Sequence, residues 1–563
     1  MKTLLKNVKL VNVFTETIEE TNVLIDGEIV AGVGTYYTSE DADECRDLAG
    51  KYVCPGFVDG HIHIESTMMT PWGLANACLP KGTTSVVTDP HEIANVCGVD
   101  GIKYMLQASE GLPLNVYVML PSCVPATMFD ESGANLFAKD LEELYSNKRV
   151  LGLAEMMNYP GIIYGDEATI EKVTECVKKD KVVDGHAPLL KGRDLDKYVS
   201  YGIQSDHECS SYEEAYERIQ KGQWIMIREG SAAKNLEGLH KLIDGPEYQR
   251  CVFVTDDRNP MDILTEGHID NIVRKAIALG KDPVRVIKMA SLNAALCFGI
   301  KRAGAIAPGY KADILILDDL NKVSIKEVYA SGKCIYADGQ ISEIKKPLID
   351  KKLVDIVSNS FHLDTLTKED FYVEPKGNKC RVIKVIEGQI LTDEVIEELD
   401  FTKNNGINTD KDILKLAVIE RHKNTGHKGI GYIEGIGLKE GALAASVSHD
   451  SHNLIVIGSN DEDMMVAANQ VIEMGGGMTV VKKQEVIAKL SLPVAGLMGI
   501  NDAATMAKDN ETLRSKAREL GVKENIEPFM NMAFVSLPVI PSLKMTTTGL
   551  VDVNQFKKVD LFV

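Results

Sequence analysis

His61 and His63 stand two positions apart in Gly56-Phe57-Val58-Asp59-Gly60-His61-Ile62-His63, where an apolar run ends. Residues two apart on a strand share a face, so the two imidazoles can grip one cation. More acids and imidazoles close later apolar runs: Asp89-Pro90-His91-Glu92, Glu155 in GLAEMM, His186 in DGHAP, His207 in SDHE and Asp256-Asp257 in VTDDRNP. Packing alone does not account for so many of them on one rim. Nitrogen and oxygen donors of this kind suit first-row transition metals, and a shared carboxylate can hold two ions about 3.5–4 Å apart. Such a centre lowers the pKa of water toward roughly 7 and leaves a neighbouring carboxylate to move the proton.

Eight short apolar runs must position these groups: YVCPGFVDG, TTSVVTD, NVYVML, VLGLAE, VVDGH, GIQSDH, WIMIRE and CVFVTDD. Helix-forming stretches such as KDLEELYSNK and SYEEAYERIQK lie between them. One strand and one helix per unit across residues 58–289 predict an α/β fold, a (β/α)8 TIM-like barrel, which carries its active site at the C-terminal strand ends. Residues 1–57 have β character, with Asp26-Gly27 as a hairpin turn, and residues 290–345 return to it. The two flanks are expected to pair as one discontinuous β-sandwich domain. Glu343 to Lys352 reads as a charged linker, and residues 360–563 as an additional C-terminal α/β domain. That last region has a helix over MMVAANQVIEMGGG, ended by Gly475-Gly476-Gly477, and strands over HNLIVIGS and MTVVKK.

Composition narrows the classes. Of 563 residues, 44% are hydrophobic and 26% charged, which excludes wholesale disorder. Lys+Arg total 62 against 82 Asp+Glu, and a net charge of −20 repels phosphate backbones, so no nucleic-acid partner is expected. The 11 cysteines contain no Cys-x-x-Cys pair, which excludes zinc knuckles and reads as reduced thiols in a cytoplasmic protein. The longest uncharged run, Gly111 to Phe129, holds Pro113, Pro121 and Pro125 and predicts strand plus loop, not a membrane span. The opening MKTLLKNVKLVNVF has no long apolar core, so no signal peptide is expected.

The His-x-His of the first strand, the single histidines after the fifth and sixth, and the aspartate after the eighth resemble the amidohydrolase superfamily. Many members bridge their metals with a carboxylated lysine after the fourth strand; this chain has Glu155 there, in AEMMNYPG. With PGFVDGHIHIEST, TDPHEIANV, DGHAP, SDHE, VTDDRNP and the C-terminal SHDSHN, the chain is similar to the bacterial-type adenine deaminase family over nearly its whole length. The resemblance implies a binuclear divalent metal site. His61, His63 and Asp256 would hold one ion, His186 and His207 the other, with Glu155 between them. Manganese is the expected metal, iron or zinc the alternatives. It implies purine salvage chemistry, in which metal-activated hydroxide attacks C6 of adenine to give hypoxanthine and ammonia, with Asp256 moving the proton and Asp257 as the alternative shuttle.

Ring protonation needs a further acid, for which Glu92 and Glu208 are the candidates, each otherwise holding a histidine in place. Arg228 and Glu229, in IMIREGSA, are either substrate contacts or a surface ion pair. His91 binds an additional metal or orients a ligand. His449, Asp450 and His452, in SHDSHN, form a polar loop or fold over the barrel mouth to touch substrate or a further metal. The expected partners are adenine and a second copy of the chain, as a homodimer. The rivals are an amidohydrolase that opens a cyclic amide or removes an acyl group, and a catalytically dead scaffold. Glu155 and the C-terminal region weigh against the first, the retained ligand positions against the second. The separate zinc nucleobase-deaminase pattern fails, since no Pro-Cys-x-x-Cys follows His63-Ile64-Glu65.

Overall fold

The computed structural model describes residues 1–231 and 233–563. Eight parallel strands follow one another in chain order around a closed barrel: Phe57–Ile62, Thr83–Thr88, Asn115–Leu120, Val150–Met156, Val182–Gly185, Ser205–Asp206, Trp224–Arg228 and Cys251–Val254. The first five form one hydrogen-bonded ladder and the last three another. Parallel bridges between Val183 and Ile203, and between Ile62 and Asp256, join the two ladders at both seams. Strands buried on both faces need continuous apolar runs, which is why these segments lack a clean alternation. Val58, Val87, Met119, Ala154, Met226 and Val252 fill the interior together with Phe298, so the barrel is a packed core with chemistry only at its mouth.

SYEEAYERIQK folds as the helix Tyr212–Gln220, with Ser211 accepting from the Glu214 N–H as its N-cap. KDLEELYSNK does not give the full helix its composition predicts. A single turn, Ala138–Leu141, tightens into the 3-10 segment Glu142–Ser146, whose Leu144 and Tyr145 are buried before the chain turns into the next strand.

Strand Tyr52–Pro55 pairs antiparallel with Ile314–Leu317, so the chain before and after the barrel shares one nine-stranded sheet. Asp26-Gly27 does close a hairpin there, with Asp26 opposite Ile29 and Gly27 at φ 57°. The C-terminal region has an eight-stranded sheet, running from Lys379–Val385 to Glu485–Ser491, with the helix Asp461–Glu473 packed on it. Gly475 follows that helix at φ 67° and ends it.

The segment read as a linker is instead tied down. Ile344 is buried and accepts the Trp72 indole N–H at 2.7 Å, and the Lys346 ammonium lies 4.4 Å from the Trp72 ring centroid. The helix Lys351–Ser358 then packs on the barrel helix His91–Ala108. One apolar cluster runs through Met69, Leu74 and Ile93 of the barrel segment into Leu443, Met478 and Met506. Among the described residues no helix is long and apolar enough to cross a membrane, and all 11 cysteines are free thiols.

A last three-stranded sheet, Leu543–Thr546, Gly549–Asp552 and Lys557–Val559, lies near the barrel mouth through Lys544. The buried Lys544 ammonium donates to the Phe534 carbonyl at 3.0 Å and the Ile390 carbonyl at 3.2 Å. Burial pushes its pKa down to about 7. An unfolded lysine titrates near ~10.4, so between these values the unfolded chain holds the extra proton and stability rises with pH. Lys544→Met removes that dependence. Urea unfolding should show the parent gaining about 2 kcal/mol relative to Lys544→Met between pH 7 and pH 9, whereas a pH-independent difference would contradict the burial argument.

Candidate metal centre and catalytic cavity

Most of the strand-end acids and imidazoles singled out above, among them His63, Glu155, His186, His207 and Asp256, line a cavity of about 540 Å3 at the C-terminal mouth. The first strand shows how. Phe57 and Ile62 pack outward and Val58 inward, and a register irregularity between Asp59 and Ile62 re-aims the strand end. Bulges of this kind are used beside active sites to redirect a side chain. His61 and His63 consequently both face inward, with their Nε2 atoms 3.2 Å apart. Asp256 sits across the seam at φ 57°, its N–H donating to the His61 carbonyl at 2.9 Å. A non-glycine residue held in that left-handed region is a local strain of the kind found at functional sites.

Glu155 divides its carboxylate between two imidazole pairs. Oε1 lies 3.3 Å from His63 Nε2 and 3.9 Å from His61 Nε2; Oε2 lies 2.9 Å from His186 Nδ1 and 3.1 Å from His207 Nε2. Asp256 Oδ1 completes the first group, at 3.1 Å from His63 Nε2 and 3.6 Å from His61 Nε2. The rings are oriented from behind: His61 Nδ1 is 3.1 Å from Asp184 Oδ2, and His63 Nδ1 is 3.1 Å from the Asp89 carbonyl. With those nitrogens donating outward, both Nε2 lone pairs converge on one point, the arrangement a divalent ion requires. The donor set therefore fits two ions of first-row character, one on each side of Glu155.

The electrostatics agree. Burial works against ionising Glu155, yet His186, His207 and His63 hold its carboxyl well below the usual range. Burial likewise opposes ionisation of Asp256, and the Arg228 guanidinium with His61 and His63 overrides it. Burial and the neighbouring His207 lower His61, but Asp184, Asp256 and Glu155 outweigh them and raise it to about 9. Ionised acids and imidazoles that attract positive charge make a cation site.

Asp256 and Asp257 diverge as neighbours on a strand end should. Asp257 accepts from Ser66 Oγ at 2.6 Å and lines the cavity apart from the imidazole pairs. Arg228 is buried, not part of a surface ion pair: its Nη1 donates to Glu208 Oε1 and Asp256 Oδ2, both at 2.6 Å. Glu208 Oε1 also lies 3.3 Å from His207 Nε2. Glu229 is not a substrate contact and takes the ion-pair alternative. It faces away from the mouth, accepting the Leu236 N–H at 3.2 Å and pairing with Lys275 at 2.7 Å, because the strand that turns Arg228 inward turns its neighbour out. His91 stands between the groups, 2.9 Å from Asp89 Oδ2 and 3.6 Å from Glu155 Oε1.

SHDSHN folds over the mouth. Glu92 Oε1 lies 2.9 Å from His449 Nδ1, and Glu92 Oε2 pairs with His452 Nε2. His452 Nδ1 accepts the Ser448 N–H at 3.2 Å, so the ring proton resides on Nε2 and points at Glu92. In place of that proton, Glu92, His449 and His452 could hold a further ion, their ligand atoms lying within 4.8 Å of one another. His449 stacks on Phe534, centroids 4.5 Å apart, and both line the cavity with Asp450.

The sequence is matched by a family model described as adenine deaminase C-terminal domain over residues 389–557, and by the amidohydrolase family model over residues 52–335. An adenine deaminase of Clostridium acetobutylicum is 45% identical over 561 residues, covering 98% of this chain and 96% of that protein. Adenine deaminase 2 of Carboxydothermus hydrogenoformans is 45% identical over 560 residues, covering 99% and 96%. An adenine deaminase of Oceanobacillus iheyensis is 41% identical over 568 residues, covering 99% and 95%. The chain belongs to the adenine deaminase family.

Within this adenine deaminase family chain, the C-terminal match contains SHDSHN and Phe534, the groups that close the mouth. Sequence reasoning missed Asp184, although it stands two positions before His186, and it missed the apolar wall of Leu537, Val539 and Ile540 entirely. Asp184→Asn tests the orientation of His61. It should preserve the fold by circular dichroism and lower metal affinity about 10–100-fold, read as metal retained after dialysis against a chelator.

Proposed function

We propose that the chain is a hydrolytic adenine deaminase whose reaction takes place at this mouth. The observation that carries the reading is the division of Glu155 between two imidazole pairs beside a cavity closed by the family's own C-terminal segment. His61, His63 and Asp256 would hold one divalent ion and His186 and His207 the other, with Glu155 shared. Manganese is our choice, iron and zinc the alternatives; when bound, such ions supply Lewis acidity that lowers the pKa of water to roughly 7.

The chain's own groups move the protons. Addition of water across the C6–N1 bond of adenine requires one proton at N1, and departure of ammonia requires one at the amino nitrogen. Water supplies both. Asp256 Oδ1 faces the imidazoles and is placed to take one proton and deliver it to the leaving amine, while Arg228 fixes the other oxygen of the same carboxylate. Glu208, in the cavity wall and held ionised against burial by Arg228, His186 and His207, has Oε2 outside its Arg228 contact and is placed to take the other proton of the water and pass it to N1. Glu92 is committed to His449 and His452 and so positions His449, whose remaining ring nitrogen is available to the purine. The Leu537, Val539 and Ile540 wall receives the flat apolar ring face and excludes water.

The same proposal divides the chain into a discontinuous β-sandwich domain (1–57 and 290–345), the barrel (58–289) and a C-terminal α/β domain (360–563). It places the protein in the cytoplasm as a homodimer acting in purine salvage. Metal-reconstituted protein should convert adenine, but not adenosine or guanine, to the 6-oxo purine with one ammonia per turnover. Absence of ammonia together with hydrolysis of a cyclic amide would replace the reading by the amidase one. His449→Ala should lower kcat/KM about 100-fold while leaving bound metal unchanged.

A further inference from the structure

A second, much smaller cavity of about 30 Å3 shares Asp257 and His449 with the catalytic one. It has room for only one or two water-sized groups and cannot take a purine. Its other polar walls are Glu65, Ser66, Asn259, Asn510 and Glu527. Two of these are buried with an acceptor atom that has no hydrogen-bond partner among the described residues, Glu65 Oε2 and Asn510 Oδ1. Their remaining polar atoms are occupied: Glu65 Oε1 accepts the Ile93 N–H at 3.2 Å, and Asn510 Nδ2 donates to Met68 Sδ at 3.6 Å. Buried acceptors are rarely left without donors, so this chamber calls for an occupant that donates hydrogen bonds.

Charge selects among such occupants. No lysine or arginine lines the chamber, whereas three carboxylates do, those of Glu65, Asp257 and Glu527. Glu527 is answered from outside, by Arg514 Nε at 3.2 Å and the Met530 N–H at 2.6 Å, and His449 is engaged by Glu92. Asp257 is met by Ser66 Oγ at 2.6 Å and by the nearby charge of His449, which leaves Glu65 as the carboxylate with no cation in the chamber. The missing group is thus a water-sized, positively charged donor, and the deamination releases one: ammonia, which is ammonium in neutral water.

We propose that the chamber walled by Glu65, Asn510 and Asp257 is an ammonium-binding site that receives the nitrogen product beside the catalytic cavity. The proposal rests on the deaminase reading for the source of the ammonium, but the site has its own observable. Metal-loaded enzyme should be crystallised and soaked in thallium(I), an ammonium-sized ion with a strong anomalous signal. A peak between Glu65 and Asn510, weakened by added ammonium but not by equal sodium, is expected. In solution, ammonium at constant ionic strength should inhibit adenine turnover, and Asn510→Leu should weaken that inhibition about tenfold while retaining turnover at low ammonium. Glu65→Gln, which keeps the shape and removes the charge, should do the same. An empty or water-only chamber in thallium, or inhibition that is identical in the parent and Asn510→Leu, overturns the site while adenine turnover leaves the deaminase reading standing. A thallium peak in an enzyme that releases no ammonia from adenine overturns the product role and the deaminase reading together.

Discussion

A carboxylate removed from water must be answered by positive charge or by donors, and Glu155 is the carboxylate around which this molecule is arranged. Leaving such a group uncompensated in the interior costs several kcal/mol. Its two oxygens face four imidazoles from three strand ends, two on each side. Each imidazole then needs an acceptor for its outer nitrogen, which His61 finds in Asp184 and His63 in the Asp89 carbonyl. Asp184 in turn accepts from Ser205 Oγ at 2.6 Å. One buried acid thus dictates a shell of partners, and that shell keeps the inward-facing imidazole nitrogens aimed at it.

The same logic ties the C-terminal region to the barrel. Glu92, on the helix that follows the second strand, would be a further uncompensated acid were it not met by His449 and His452. The loop that supplies them is held by Arg421, whose Nε donates to the His452 carbonyl at 2.6 Å and whose Nη2 donates to Ala495 at 2.9 Å. Closure of the mouth and neutralisation of Glu92 are therefore one event. Displacing the loop would open the cavity and leave Glu92 with His91 alone, 3.5 Å from Oε1, to answer its charge.

The barrel and its rim were legible in the sequence because parallel strands buried on both faces must be short and apolar, so polar residues gathered at the C-terminal end of each run mark the mouth. His61, His63, Glu155, His186, His207 and Asp256 stand at such ends. Where the rule is a local alternation it also failed informatively. Glu229 looked equivalent to Arg228, yet one step along a strand reverses the direction of a side chain. The bulge at Asp59–Ile62 leaves no mark in residue type. Asp184 was hidden because a group acting through His61 has no spacing relation to it along the chain. The apolar wall was hidden because Leu537, Val539 and Ile540 have the composition of any core segment; only the docking of one domain on another makes them a lining. Glu343 to Lys352 misled for the converse reason: its charges are those of a linker, and it is Ile344 and the Trp72 ring that fasten it.

Glutamate at position 155 also has a consequence for the shape of the mouth. A carboxylated lysine carries its bridging carboxylate at the end of a long stem, and its charge depends on a reversible adduct. A glutamate is ionised at neutral pH without any adduct, but its carboxylate lies only two methylenes from the backbone. Four imidazoles must then come to the fourth strand instead of being met part-way across the barrel. Their approach is supported at that strand end, where the Glu155 carbonyl accepts from Ser122 Oγ and from the Met157 N–H. Space on the far side of a centre drawn in this way has to be filled by something else, and His91, Glu92 and the His449 loop occupy it. The short Glu155 side chain and the C-terminal region are, in physical terms, two halves of one solution: the first draws the four imidazoles together, and the second covers the cavity beside them.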